Sequence, residues 1–287
     1  MCIMLLYYGR FICREYGVDI MNDIKILKDV KLFLFDMDGT LYLGDRLYSF
    51  TKELLATIKN TGKRYMFMTN NSSKSVADYI KKLDKLGIPA EREDFITSSQ
   101  ATAYYLKKYH KGARLYVCGT ASLKKELEYE GFTVTDNLDE VDCLVIGNDT
   151  ELTFKKLEDM CRLLLARDIP YIATNPDYVC PTEYGSVPDC GSFCDMIYNA
   201  TKKRPVVIGK PEPLMPILAM EHVGSSGSET AVIGDRIYTD VKSGINAGTV
   251  SVLVLSGETT VEILNESDVK PDLVLDDCGV ILDILRK

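Results

Sequence analysis

The stretch Leu32-Phe33-Leu34-Phe35-Asp36-Met37-Asp38-Gly39-Thr40-Leu41 decides how the chain is read. Four consecutive apolar residues are too few for a helix and suit a strand buried on both faces. The run ends abruptly in two acids, a glycine and a threonine. Similar short runs follow at Arg64–Met68, Leu115–Cys118, Cys143–Ile146, Tyr171–Ala173, Val206–Ile208, Ala231–Ile233, Val250–Leu255 and Leu273–Leu275. Between them lie amphipathic stretches that predict helices: Phe50–Asn60, Ser75–Leu86, Ser99–Tyr109, Leu123–Glu130, Phe154–Arg167, Ser192–Lys202, Pro213–Glu221 and Tyr238–Ala247. Strands alternating with helices predict an α/β fold with a doubly wound parallel sheet.

Such sheets bind ligands beyond the carboxyl ends of their strands, so the residues after each run carry the information. Asp36 and Asp38 follow the first run; Thr69, Asn70 and Asn71 follow the second. Gly209, Lys210 and Pro211 follow Val206–Ile208, and Gly234 and Asp235, then Asp240, follow Ala231–Ile233. Thr69 and Lys210 are about 140 positions apart, whereas a strand–helix–strand unit needs only about 30. The expectation is therefore a core of residues 21–107 and 205–287 that receives a second α/β domain inserted at 108–204. Residues 1–20 are expected to be an N-terminal extension, because Met1–Cys13 lacks the basic start and cleavage site of a signal peptide and Met21 opens a more conventional beginning.

Asp36 and Asp38 are two apart and point to one side in extended geometry. Gathered with Asp235 and Asp240 they would repel unless a cation compensated. A hard divalent ion with oxygen ligands, magnesium, is the expected answer. One lysine, Lys210, adds a positive charge. Acids, a metal and a lysine suit an anionic, oxygen-rich substrate, and phosphate fits best. One aspartate can then attack phosphorus while the other donates a proton to the leaving oxygen and later activates water. Thr69 and the backbone after it can hold phosphate oxygens at a helix start.

Phe35-Asp36-Met37-Asp38-Gly39-Thr40-Leu41 resembles the DxDGT signature of the haloacid dehalogenase-like superfamily in its phosphatase form. Thr69-Asn70-Asn71-Ser72-Ser73, Gly209-Lys210-Pro211-Glu212-Pro213 and Gly234-Asp235-Arg236-Ile237-Tyr238-Thr239-Asp240 resemble its second, third and fourth motifs. The TNNSS form and Thr174-Asn175-Pro176-Asp177 in the insertion are similar to the NagD or 4-nitrophenylphosphatase branch, with its inserted α/β cap on a Rossmann-like core. The resemblance implies Asp36 as nucleophile and Asp38 as general acid and base. It implies magnesium held by the side chains of Asp36 and Asp235 and the backbone carbonyl of Asp38, with Asp240 supporting the metal's waters. Thr69 and Lys210 would bind the transferred phosphoryl group, assisted by Asn70. The branch's cap motif commonly reads close to P-G-x-G-S, where this chain has Pro188-Asp189-Cys190-Gly191-Ser192.

Composition sets the outer bounds. The chain has 287 residues with 34 basic and 42 acidic side chains, a net charge of −8, which argues against general affinity for nucleic acid. No apolar run is long enough for a membrane-spanning helix. Nine scattered cysteines, with no C-x-x-C pair, read as reduced buried thiols in a cytoplasmic protein; Cys190 and Cys194 read as packing. His110 and His222 sit at expected helix ends, and no G-x-S-x-G, Walker A or G-x-G-x-x-G pattern occurs. The function expected is a magnesium-dependent phosphomonoesterase acting on small phosphorylated metabolites, for which the resemblance implies sugar phosphates, nucleoside monophosphates and 4-nitrophenyl phosphate. The resemblance also leaves open a homo-oligomer formed through the cap. Two rivals stand beside this reading. A phosphotransferase or mutase would pass the aspartyl-phosphate to another hydroxyl. A phosphoaspartate switch would need that phosphate to persist, which an acid–base group at Asp38 opposes.

Overall fold

The computed structural model describes residues 25–182 and 184–287, together with the strand backbones Ile3–Tyr7 and Arg10–Arg14. Two compact units divide the chain: residues 1–68, 84–95 and 211–287 form the first, and residues 69–83 and 96–210 the second. The chain passes between units at Met68–Thr69, Leu83–Asp84, Phe95–Ile96 and Lys210–Pro211. This division differs from the expected 108–204 insertion by taking in Thr69–Leu83, Ile96–Lys107 and Pro205–Lys210.

An eight-stranded sheet runs in the order Ile3–Tyr7, Arg10–Arg14, Leu273–Leu275, Val250–Val254, Thr230–Gly234, Leu32–Phe35, Arg64–Thr69 and Phe95–Thr97. Leu32–Phe35 pairs in parallel with Thr230–Gly234 on one side and Arg64–Thr69 on the other. All four of its residues are buried, as expected of a strand covered on both faces. The register sets Ile233 opposite Phe35, so Gly234 and Asp36 leave the sheet side by side at the same end. Packing beside this sheet includes a cluster of Ile237, Val241, Leu253, Leu264 and Val274.

At the other edge, Arg10–Arg14 and Ile3–Tyr7 form an antiparallel hairpin, joined to the sheet where Ile12 pairs with Leu275. Both strands fall in the segment expected to be an extension outside the fold. The start expected at Met21 lies outside the described residues.

A five-stranded sheet belongs to the second unit, in the order Val206–Val207, Tyr171–Ala173, Cys143–Ile146, Arg114–Cys118 and Thr133–Val134, all parallel. Val206–Val207 thus joins Tyr171–Ala173, not the sheet that holds Asp36 and Asp235. An apolar run reports that a strand is buried but not which sheet receives it. The helices Phe154–Ala166 and Cys190–Thr201 cover this sheet through Met160, Leu163, Phe193 and Ile197. Cys118, Cys190 and Cys194 pack in the same core, and burial pushes the Cys190 thiol well up. The seven cysteines among the described residues are free thiols.

Short pairings escaped the sequence reading: the hairpins Tyr42–Leu43 with Arg46–Leu47 and Val179–Thr182 with Gly185–Pro188, and the strand Phe95–Thr97. The helix expected at Tyr238–Ala247 is regular only over Lys242–Ala247 and is preceded by a π-helical turn at Ile237–Val241. Among the described residues no helix is long and apolar enough to cross a membrane.

Candidate active site

Three carboxylates converge in the first unit. Asp36, Asp235 and Asp240 bring ligand oxygens within 4.8 Å of one another. Asp36 arrives directly after its strand, where its N–H donates to the Ile233 carbonyl at 2.8 Å. Asp235 arrives one residue later on the neighbouring parallel strand. The π-helical turn brings Asp240 back toward the same strand end, and the Asp240 carboxylate accepts the Arg236 N–H at 3.1 Å. A Cβ added at Gly234 would lie 2.2 Å from Cγ of Asp240, so that return requires glycine.

Asp235 is 3% exposed and closely fitted. Its Oδ2 accepts the Glu258 N–H at 2.7 Å and its Oδ1 meets the Thr40 hydroxyl at 3.4 Å. Burial, and next the negative charge of Asp240, push the Asp235 carboxyl up to about 6, against the opposing pull of the Glu258 N–H and Arg236. Crowded, poorly solvated carboxylates of this kind are what a divalent cation relieves. The donor set, all oxygen and with one member only half-buried, fits magnesium.

Asp38 stands apart from that cluster. Its side chain is exposed, its carboxylate accepts the Gly44 N–H at 3.3 Å, and its backbone bridges to Tyr42. A solvent-exposed carboxyl can exchange its proton freely, as acid–base work requires. Gly39 follows at φ +86°, and a Cβ there would sit 2.4 Å from Asp235 Oδ2. Glycine is thus needed on both conformational and steric grounds.

One loop was missed by the sequence reading. Ser256 to Thr259 wraps Asp235: Thr259 N–H donates to the Asp235 carbonyl at 3.1 Å, and Thr259 Oγ1 accepts the Ile237 N–H at 3.1 Å. Ser256 Oγ donates to the Gly39 carbonyl at 2.7 Å, while the Tyr48 hydroxyl donates to the Ser256 carbonyl at 2.7 Å. A Cβ at Gly257 would stand 2.0 Å from Asp235 Oδ2. The Glu258 side chain meets Arg236 at 2.8 Å and accepts from the Tyr238 hydroxyl. Asp235 itself is held by two backbone N–H groups and by an absent Cβ. The only sequence signal was a polar turn, Ser256-Gly257-Glu258-Thr259, after an apolar run.

The other predicted site residues lie in the second unit. Thr69 is buried, and its Oγ1 accepts the Asn71 N–H at 3.2 Å. Lys210 is 2% exposed. Asn70 reaches across the sequence to it: Asn70 Oδ1 accepts the Lys210 N–H and Asn70 Nδ2 donates to the Lys210 carbonyl, both at 2.8 Å. Asn70 Nδ2 also donates to Asp177 Oδ2 at 3.0 Å. Asp189, the departure in the cap motif, caps the helix Cys190–Thr201 through the Cys190 N–H. The structure thus brings Asp36, Asp235 and Asp240 together in one unit, and Asn70 and Lys210 together in the other.

Comparison with known proteins places these residues in a family. A model described as haloacid dehalogenase-like hydrolase matches residues 33–133, and a second one for HAD-like hydrolases matches residues 207–280. The chain is 36% identical to the 5'-nucleotidase YutF of Bacillus subtilis over 87% of its own length and 96% of that protein's. It is 34% identical to the acid sugar phosphatase of Staphylococcus haemolyticus over 91% and 98%. The crystal structure of the 4-nitrophenylphosphatase from Thermotoga maritima superposes with a TM-score of 0.86 at 41% identity, covering 90% of this chain and 98% of that one. The order of the four motifs, the α/β core that carries the carboxylates and these full-length likenesses agree. The chain belongs to the haloacid dehalogenase-like hydrolases, in their NagD and 4-nitrophenylphosphatase branch of phosphatases.

Proposed function

We propose that this phosphatase is a magnesium-dependent phosphomonoesterase that hydrolyses small phosphate esters through an aspartyl-phosphate on Asp36. The observation that carries the reading is the convergence of Asp36, Asp235 and Asp240, with an exposed carboxyl, Asp38, two residues after the first. The side chains of Asp36 and Asp235 and the carbonyl of Asp38 would hold magnesium, with Asp240 supporting its waters. Bound there, the ion supplies the positive charge that lets an ionised carboxylate approach a phosphate dianion.

In the first half-reaction an Asp36 oxygen forms a bond to phosphorus as the ester P–O bond breaks, and Asp38 gives its proton to the departing oxygen. In the second, ionised Asp38 takes a proton from water, the water oxygen bonds to phosphorus, and the Asp36 carboxylate leaves with its electron pair. Inorganic phosphate is released and both aspartates return to their starting states. Thr69 and Lys210 are the residues that would hold the phosphoryl oxygens. Sugar phosphates, nucleoside monophosphates and 4-nitrophenyl phosphate are the substrate range that the relatives' names support. Free cysteines support a reducing, cytoplasmic setting.

The test is phosphate release from a panel of these esters with and without magnesium, run beside Asp36→Asn. Metal-dependent release that disappears in the variant supports the mechanism. Release that persists in Asp36→Asn would remove the covalent intermediate from it. Transfer of the phosphoryl group to an added alcohol, in preference to water, would favour the phosphotransferase reading instead.

A further inference from the structure

The Asn70 carboxamide has two hydrogens on nitrogen, and both are committed, one to the Lys210 carbonyl and one to Asp177 Oδ2. Its oxygen holds the Lys210 N–H. A side chain used in this way grips the backbone of Lys210 from both sides and has no donor left for a phosphate. The preceding residue has to be glycine, because a Cβ at Gly209 would stand 2.5 Å from Asn70 Oδ1 and 2.6 Å from the Thr174 carbonyl.

The bonding continues beyond Asp177. Asn175 Nδ2 donates both to Asp177 Oδ2 at 3.0 Å and to Asp189 Oδ1 at 3.2 Å, while Asn175 Oδ1 accepts from the Thr174 hydroxyl at 2.9 Å. Asp189 Oδ2 accepts Asn148 Nδ2 at 3.0 Å, and its Oδ1 also accepts the Cys190 N–H at 2.5 Å. Asn148, Asn175, Asp177, Asp189 and Asn70 are all at least nine-tenths buried. Each amide has one orientation that serves its neighbours, since a flipped Asn175 would turn its oxygen toward two carboxylates. Amide donors and carboxylate acceptors therefore alternate along a continuous path from the helix start at Asp189 to the backbone of Lys210.

We propose that Asp189, Asn175, Asp177 and Asn70 form a positioning relay for Lys210. Asn70 acts through the lysine and does not itself ligate phosphate. Asp189 anchors the far end of the relay to the helix Cys190–Thr201. The catalytic meaning of the relay rests on the proposed function, in which Lys210 binds the phosphoryl group; its structural content does not.

Two measurements on the full-length protein test it. Hydrogen–deuterium exchange at the Gly209 and Lys210 amides needs no turnover. Asn70→Ala and Asp189→Gly are each expected to speed exchange at Lys210 by about tenfold or more and to leave Leu32–Phe35 unchanged. Asp189→Asn, which keeps an acceptor oxygen, is expected to restore most of the protection. Unchanged exchange at Lys210 in Asn70→Ala and Asp189→Gly overturns the relay, and either variant serves if the other does not fold.

The second measurement is a double-mutant cycle on 4-nitrophenyl phosphate hydrolysis with magnesium. Asn70→Ala is expected to lower kcat/KM about tenfold in the native background but less than about twofold when added to Lys210→Ala. Fully additive losses would show that Asn70 acts by itself, and would overturn its assignment as a positioning residue. Should the native protein release no phosphate with magnesium, the proposed function fails, while the exchange measurement still decides whether the relay holds Lys210.

Discussion

In the first unit Asp36, Asp235 and Asp240 crowd their oxygens within 4.8 Å, and burial with like charge lifts the Asp235 carboxyl to about 6. In the second unit Asp177 and Asp189 are buried as deeply, yet amide donors from Asn70, Asn148 and Asn175 meet them. The same side-chain type thus appears in two electrostatic conditions. A carboxylate surrounded by neutral donors stabilises and orients what it touches. A carboxylate held against other carboxylates costs stability and retains appetite for a cation. The difference separates a positioning framework from a reactive centre without any reference to motifs.

The comparison can be broken most severely at Asp36. Asp36→Asn keeps the shape and removes the nucleophilic charge, so phosphate release should fall by about a thousandfold or more, with an unchanged urea unfolding curve or a slightly more stable one. The second break lies in the framework. Asn175→Ala strips one donor each from Asp177 and Asp189 and the acceptor from Thr174, and should cost about 3 kcal/mol of unfolding free energy in urea melts. A loss near zero would mean that water replaces the amide.

A sharper test separates metal positioning from catalysis. Gly257→Ala puts a methyl 2.0 Å from Asp235 Oδ2, and magnesium affinity measured by titration calorimetry should weaken by about tenfold or more. The smallest effect has the opposite sign. Asp240→Asn relieves like charge and keeps an acceptor for the Arg236 N–H, so the metal-free protein should gain about 1 kcal/mol in urea melts. If that variant is instead destabilised, the carboxylate cluster is not under electrostatic strain.

Much of the first unit was legible because its information is local. Leu32–Phe35 and Leu273–Leu275 were read to the residue, since four or fewer consecutive buried positions leave a clear apolar run. Asp36 and Asp235 were singled out because each follows such a run closely, and Asp240 because it lies five residues after Asp235. The Ser256–Thr259 loop was not found, because it works through the N–H groups of Glu258 and Thr259 and through space that Gly257 leaves free. The π-helical turn at Ile237–Val241 escaped for a related reason: its backbone pattern differs from an α-helix by one residue, and the side-chain sequence carries little trace of that shift. Asn70 was read as a helper of phosphate, whereas its carboxamide is spent on Lys210 and Asp177.

By itself the sequence determined that this chain alternates buried strands with helices, and that four strand ends carry two pairs of acids, a threonine with amides and a lysine. Those features follow from hydrophobic runs and from residue types at adjacent positions, which no tertiary contact is needed to define. Only the tertiary structure decided that Val206–Val207 joins the second sheet, that Asp240 returns to the Asp235 strand end, and that Asn70 grips a lysine 140 positions away. Each is a pairing between distant segments, selected by hydrogen-bond geometry and by the space a missing Cβ leaves, and neither quantity is written in the local order of side chains.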